Sequence, residues 1–400
     1  MTKIRIFVFL STLVIVTIVG LFFSFYARGY RFDIKNLKFQ PNGIFVIKSD
    51  PDGASVYIDS ELKTATNATI SLPPGTYDVE IRKDGYFTWY KRLVIEKEVV
   101  TQASASLFKS VPSLSPVTFS GAENPAVSGD GAKIAFVTPF SKDLSTDKIG
   151  LWVMDTFTLP LGFSTEPKRI TDGDITNAVY EFSPDGRQIL LTLSNSIFLL
   201  DSGSFISQSQ RVNVASQKDS ILSDWEKEKK AKDESLMRNL PPDLSDILQR
   251  KTSDFIFSPD EQMILYTASS SATLPDNLVK PLPGASTQQQ ERSVQIGHTY
   301  VYDIKEDRNF LISDQEVTID GADNSQLGAV RWMPTSRQLL LAQAGQVTVM
   351  DYDGTNRQVV YSGSYTAPFA FPFSNATKLL ILTNLGAGNS TPNLYSLTVK

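Results

Sequence analysis

A tight turn followed by an apolar run returns five times in the C-terminal part of this chain, and no other feature restricts the possible folds as strongly. The clearest copy is Phe182-Ser-Pro-Asp-Gly-Arg-Gln-Ile-Leu-Leu-Thr192. Ser183-Pro184-Asp185-Gly186 suits a type I turn, because Pro fixes φ at the second position and Gly is favoured at the fourth; an apolar strand then follows. The other copies start at Val127, Phe257, Trp332 and Phe373, and the last two lack the Asp. A single such turn is commonplace, whereas five in register mark a repeat architecture.

Two further elements travel with the turn. An alternating strand ends near an Asp in Leu151–Asp155, Ile197–Asp201, Tyr300–Asp303 and Val347–Asp351, and reappears without the Asp in Asn393–Leu397. A third strand follows four of them, at Lys168–Asp172, Gln210–Val214, Arg308–Ile312 and Arg357–Tyr361. The fifth copy has none before Lys400, and Ser115-Pro-Val-Thr-Phe-Ser-Gly121, ahead of the first copy, is the candidate to replace it. A ring of small sheets closed by an outer strand from its beginning and inner strands from its end leaves no long unpaired edge. The expected fold is therefore all-β: a five-bladed β-propeller over residues 110–400, or six blades if an insertion hides one.

Two insertions interrupt the repeats. The turn Asp and the strand-ending Asp stand 16 positions apart in the second copy and 43 apart in the third. The excess, residues 269–297, is rich in Ser, Pro and Gln and is expected to be a flexible loop. The other insertion, 217–251, is expected to be helical, with Ser223 or Asp224 as cap and Pro241-Pro242 as stop. Ile221, Leu222, Trp225, Leu236, Met237 and Leu240 share one face of it. Such a stripe either packs the insert onto the propeller flank or docks a partner. Trp225, Leu236 and Met237 are the candidate partner contacts.

At the N-terminus, residues 6–26 form an apolar run long enough to cross a bilayer core, so a membrane anchor over residues 1–27 is expected, with the lipid bilayer as its partner. A cleaved signal peptide is the nearest rival, but its apolar region is usually shorter and ends in small residues, whereas Phe25 sits where one is required. Lys3 and Arg5 precede the run and Arg28, Arg31, Lys35 and Lys38 follow it, so charge does not decide the orientation. The short tail and large remainder favour a single-pass protein with its bulk outside the cytoplasm. Residues 28–42 read as a linker.

Residues 43–109 have the texture of a small β-sandwich. Ile44–Ile47 and Ser55–Ile58 are apolar strands joined by Asp50-Pro51-Asp52-Gly53, which again suits a type I turn; Tyr77, Val79 and Ile81 alternate with Thr76, Asp78 and Glu80. The segment resembles the PEGA domain family through Pro51-Asp52-Gly53-Ala54, Leu72, Pro74-Gly75, Tyr77, Val79, Gly85-Tyr86 and Trp89. That resemblance implies a small sandwich of bacterial surface proteins without catalytic residues. The later repeats resemble the TolB-type, WD-like β-propeller family, whose repeat carries the Ser-Pro-Asp-Gly turn. The order of anchor, PEGA-like module and propeller is similar to that of bacterial envelope proteins.

Little in the chain points to catalysis. With no Cys there is no thiolate chemistry, Cys-ligated zinc, disulfide or lipidated N-terminal Cys. A Ser-His-Asp triad or His metal site would have to use His298, the sole His, which has no suggestive neighbour. No nucleophile elbow, phosphate-binding loop or dinucleotide fingerprint occurs. A net charge of −5 argues against nucleic acid as a partner. Asp351-Tyr-Asp-Gly-Thr-Asn356 begins like a calcium loop but lacks the distant Glu, and it stands where the repeat needs a turn. Ser128–Ala132 approaches the Asp-box turn of sialidases, with Ala132 in the expected Gly position.

The expected function is a non-enzymatic, membrane-anchored envelope protein, without cofactor or metal, that binds an envelope protein or cell-wall polymer. The alternative is a propeller hydrolase of glycans or peptides using Asp/Glu in the channel mouth. The two part on whether two carboxylates converge within about 5–10 Å, as glycoside hydrolysis requires.

Overall fold

The structure is a computed structural model and describes residues 2–27, 30–33, 38–142, 144–157, 166–194, 196–280, 282–320, 327–388 and 390–400. It forms two units, Met1–Leu107 with Pro281–Gln289, and Phe108–Lys280 with Gln290–Lys400.

The first unit begins with helix α1 (Thr2–Ala27). Its segment Ile4–Ser24 is 21 residues long and wholly unburied, long and apolar enough to cross a membrane. The Thr12 and Thr17 hydroxyls donate to the Val8 and Leu13 carbonyls, so their polarity is satisfied within the helix. The stretch expected as a linker contains the antiparallel pair β1 (Tyr30–Asp33) and β2 (Lys38–Pro41). Tyr30 donates to the Glu98 carboxylate at 2.6 Å. Arg28 and Lys35, weighed for orientation, lie outside the described residues.

A two-sheet sandwich follows: β3 (Gly43–Asp50), β4 (Ser55–Ile58), β5 (Glu61–Ala65), β6 (Ala68–Leu72), β7 (Gly75–Arg82), β8 (Trp89–Ile95) and β9 (Val100–Ser106). The sheet orders are β6-β3-β9 and β5-β4-β7-β8. Alternation puts Phe45, Ile47, Val56, Ile58, Val79, Ile81 and Trp89 between the sheets. The Asp50–Gly53 segment links strands of different sheets and lacks the Gly53-to-Asp50 bond that would close the expected type I turn. The Gly53 N–H instead donates to the Thr66 carbonyl at 3.2 Å, and the Asp50 carbonyl accepts from Leu107 at 2.8 Å.

The second unit opens with β10 (Ser113–Pro116). A first sheet follows, β11 (Glu123–Val127), β12 (Lys133–Thr138), β13 (Gly150–Asp155) and β14 (Lys168–Thr171), then a second, β15 (Val179–Phe182), β16 (Gln188–Leu193) and β17 (Ser196–Asp201). Helices α2 (Lys218–Met237) and α3 (Pro242–Arg250) come next. The third sheet comprises β18 (Thr252–Phe257), β19 (Met263–Ala268), β22 (Thr299–Asp303) and β23 (Arg308–Ser313), with the hairpin β20 (Ala272–Thr273) and β21 (Ser293–Val294) inserted between β19 and β22. The fourth sheet runs through β24 (Val317–Ile319), β25 (Gly328–Trp332), β26 (Gln338–Gln343), β27 (Gln346–Asp351) and β28 (Gln358–Ser362). In the fifth, β29 (Ala370–Pro372), β30 (Lys378–Thr383) and β31 (Asn393–Thr398) are completed by β10, in the order β10-β31-β30-β29.

That last pairing is the strand pairing expected from the sequence, displaced by two residues. Ser113 faces Thr398 and Pro116 faces Tyr395, antiparallel. The ladder continues past the strand as the Val117 N–H reaches the Leu394 carbonyl at 2.8 Å.

The repeated turn owes its recurrence to one hydrogen-bond scheme. In the second copy the Gly186 N–H closes the turn on the Ser183 carbonyl at 2.9 Å, and Ser183 and Gln188 pair beyond it. The Asp185 carboxylate accepts from the Ser183 hydroxyl and the Arg187 N–H. Gly186 has φ +67, and Gly131, Glu261, Ser336 and Ala376 hold the same left-handed place in the other copies. Each copy is thus a type I turn closed by a bulge residue. The fifth is offset by one from the sequence reading: Phe373, not Ser374, takes the serine place, since its N–H and carbonyl bond to Lys378 and Ala376. Asn375 then does the work of the lost Asp, accepting from the Thr377 N–H at 3.1 Å.

The apolar strand after each turn is buried on both faces, and in β12 and β19 the two faces enter different cores. On β12, Ala135 and Val137 pack with Ile189 and Leu191 of the second sheet. Ile134 and Phe136 pack with Phe371, Leu380 and Leu394 of the fifth. On β19, Met263 and Leu265 meet Val330, Leu339 and Met350 of the fourth sheet. Its other face, Ile264 and Tyr266, is covered by Met237, Leu240, Leu244 and Leu248 of the helical insert, and by Leu274 and Val294.

The insertion 269–297 is therefore not the featureless loop expected. Leu274 and Val294 are buried at the β20–β21 hairpin, and Arg292 forms a 2.9 Å ion pair with buried Asp307. These few anchors were hidden by the polar residues around them. Helix α2 starts five residues before the expected cap at Ser223, from a 3-10 turn at Ala215–Gln217. The expected strand at Gln210–Val214 is reduced to a bridge between Phe198 and Asn213.

Candidate functional site

The three residues expected to contact a partner do not form one exposed patch. Met237 is 8% exposed and lies in the core against β19, so packing claims it. Trp225 and Leu236 remain half-buried on the same stripe of α2. Between them lie Lys229, exposed, and Asp233, half-buried, one turn apart on the face that ends in Met237.

This stripe brings charge toward the first strands of the third and fourth sheets. Asp254 on β18 and Asp320, just past β24, are accessible to water yet closely surrounded by protein, and burial raises the pKa of both carboxyls. Lys229 opposes the rise at each. Asp233 adds to it at Asp254, and Asp254 adds to it at Asp320. The Asp254 carboxylate accepts its own neighbour's N–H, from Phe255, at 2.9 Å.

Arg331 of β25, beside Asp320, is 4% exposed. Its guanidinium donates to the carbonyls of Pro368, Ala370 and Asp320 at 3.0, 3.2 and 2.9 Å, and lies 4.7 Å over the Phe371 ring. Burial lowers its pKa, and Asp320 and Tyr365 oppose that shift. A cation held by carbonyl oxygens and an aromatic face stitches the fourth sheet to the fifth.

The arrangement is a mixed-sign surface at the first strands of the third and fourth sheets, suited to ion pairs and hydrogen bonds with a polar ligand. Asp254 disfavours the ionisation of Asp320, but neither carboxylate is hydrogen-bonded to a second titratable side chain among the described residues, as an acid–base pair would be. No motif in the sequence marks Asp254, Asp320 or Arg331. They come together through the stacking of sheets, which local pattern does not encode.

Other residues singled out from sequence have structural roles. His298 stacks 6.2 Å from Tyr300, and its carbonyl accepts from the Ala268 N–H at 3.0 Å. The Asp351–Asn356 segment is a turn closed on itself: the Asp353 carboxylate accepts from Thr355, and the Asn356 amide donates to Asp351 at 3.0 Å. No group of three or more His, Asp or Glu side chains is placed to hold a metal ion among the described residues. On the sandwich, Arg92 forks onto Asp78 at 2.7 and 2.9 Å and Tyr90 donates to it at 2.8 Å, which draws the Asp78 carboxyl down to about 2.

Residues 42–110 match the family model described as PEGA domain. No curated protein matches this sequence. Among solved structures, a protein assigned as TolB from Agrobacterium tumefaciens is similar at 14% identity, covering 69% of this chain and 78% of that one, with a TM-score of 0.23. TolB from Acinetobacter baumannii is similar at 14% identity over 80% and 59% of the respective chains, with a TM-score of 0.20. A luciferin-regenerating enzyme matches at 10% identity over 72% of this chain and 97% of that one, with a TM-score of 0.26. At such TM-scores these likenesses add nothing to the sheet pairings described above.

Proposed function

We propose that this chain is a single-pass membrane protein whose bulk stands outside the cytoplasm, where it binds an envelope protein or cell-wall polymer without catalysing a reaction. The observation that carries the reading is the unburied 21-residue apolar segment N-terminal to a stretch matching the PEGA domain. On this reading the five sheets of the second unit are the blades of a propeller sealed by β10. The pairing of β10 with β31 and the cores shared between successive sheets support it. The ligand-facing surface is the inner-strand region of Asp254 and Asp320 with the α2 stripe, where propellers present their loops and channel.

Protease accessibility in intact cells, together with affinity capture on purified peptidoglycan and envelope extract, tests the proposal. The bait is the protein without residues 1–42. Cleavage outside the cell, and capture that weakens in Asp254→Asn and Asp320→Asn, are expected. Complete protection from protease would overturn the orientation. Hydrolysis of glycan or peptide substrates that disappears in either variant would replace binding with catalysis.

A further inference from the structure

The sandwich of the first unit has one flank where both sheets end: β8 is the last strand of one sheet and β9 of the other. An edge strand is where a sheet can pair with another chain. A segment far away in sequence lies on that flank. The Gln288 side-chain amide donates to the Arg92 carbonyl of β8 at 2.8 Å. Gly284 lies so close to the start of β9 that a Cβ there would fall 2.7 Å from the Val100 carbonyl oxygen and 3.2 Å from a Val99 methyl.

The local sequence explains how this segment holds its shape. The Ala285 N–H bonds to the Leu282 carbonyl at 3.3 Å, closing a turn with Pro283 second and Gly284 third. Gly284 has φ +74, the value a type II turn demands at that position. Pro presets one torsion and Gly supplies the other, so the turn forms at small entropic cost. The Ser286 hydroxyl then accepts the Gln288 N–H at 3.3 Å, which orients the glutamine toward β8.

We propose that residues 282–289 are a strap that closes this flank and keeps β8 and β9 from pairing with a strand of a second molecule. The contiguous stretch matching the PEGA domain, 42–110, is then an incomplete sandwich, and the insertion in the third repeat supplies its missing cover.

The test uses the full chain in detergent. Gly284→Val introduces both the left-handed strain and the clash with Val100. Gly297→Val introduces the same strain, at φ +78, where nothing lies within 4 Å, and serves as the control. Gln288→Ala removes the bond to Arg92 without any clash. Amide exchange across β8 and β9 is expected to quicken about tenfold in Gly284→Val and two- to threefold in Gln288→Ala, and to stay unchanged in Gly297→Val. A fourth protein, with 282–289 replaced by eight Gly/Ser residues, is expected to self-associate in sedimentation while wild type does not. Equal exchange in wild type and Gly284→Val, equal quickening in Gly284→Val and Gly297→Val, or a monomeric replacement variant would each overturn the proposal.

Discussion

The first and third sheets of the second unit start from the same repeat and meet different neighbours. Both open on a Ser–Asp turn with the same bonds: the Ser128 hydroxyl to Asp130 at 2.6 Å and the Ser258 hydroxyl to Asp260 at 2.7 Å. Both follow it with a strand buried on each face. The first sheet is covered by a sheet on either side, through Ile189 and Leu191 on one face and Phe371 and Leu380 on the other. The third has a sheet on one face and helices on the other, where Leu244 and Leu248 of α3 cover Ile264 and Tyr266. The repeat thus specifies a hairpin and a strand that needs two apolar covers. What supplies each cover is decided by the intervening chain.

The largest test of this equivalence is truncation on each side. Phe136→Ala, at the contact between the first and fifth sheets, should cost about 3–5 kcal/mol, and Leu244→Ala, at the helical cover, about 2–5 kcal/mol. Each should loosen its own sheet in native-state amide exchange. If Leu244→Ala costs less than 1 kcal/mol, the helices are a loose attachment rather than a cover.

A smaller effect is expected in the turns. Asp185→Ala removes an acceptor from Ser183 and Arg187 and should cost about 1 kcal/mol in chemical denaturation. Thr335→Ala should cost less, because the Thr335 hydroxyl accepts from Arg337 at 3.4 Å, against 3.1 Å for Asp185 and Arg187. Equal losses would show that the turn does not depend on that acceptor.

The smallest effects are in pH dependence and have opposite signs. Hydrogen bonding from Ser183 first, and from Arg187, holds the Asp185 pKa down. Its stabilising contribution is present above the unfolded value and is lost as pH falls through the lowered folded value. Burial holds Asp254 up, so its ionisation weakens the fold as pH rises from the unfolded value through the raised one. Stability measured from about pH 3 to 7 should therefore fall in Asp185→Asn at the upper end and rise there in Asp254→Asn. A fall in Asp254→Asn would mean that the electrostatic attraction of Lys229 outweighs its burial.

The parts of the fold legible in the sequence are those with local physical causes. Pro184 and Gly186 dictate a turn whose bonds close within six residues, and the run from Ile189 to Leu191 dictates a strand buried on both faces. The pairing of a strand before the first repeat with the last sheet follows from the need to cover its edge, and its bounds lie two residues earlier than the pattern indicates because Val117 and Thr118 still bond to Leu394 beyond the strand. The displacement of the fifth turn is not legible in the sequence because Phe373-Ser374 imitates Phe182-Ser183 while the backbone bonds start one residue earlier than the imitation implies. Strand β24 is three residues long and pairs in parallel with β25, with no turn signal to announce it. The cluster of Asp254, Asp320 and Arg331 depends on which sheets stack, and its members are 11 to 77 positions apart.

The fifth sheet of the second unit depends on β10, the unit's first strand, pairing with β31, its last. With no native Cys, Ser113→Cys with Thr398→Cys places one possible disulfide across directly paired positions of β10 and β31. On oxidation the full chain should cross-link intramolecularly to near completion and gain about 2–5 kcal/mol of stability, since the bond closes a very long loop. Failure to cross-link, or dimers in place of an internal bond, would contradict the closure.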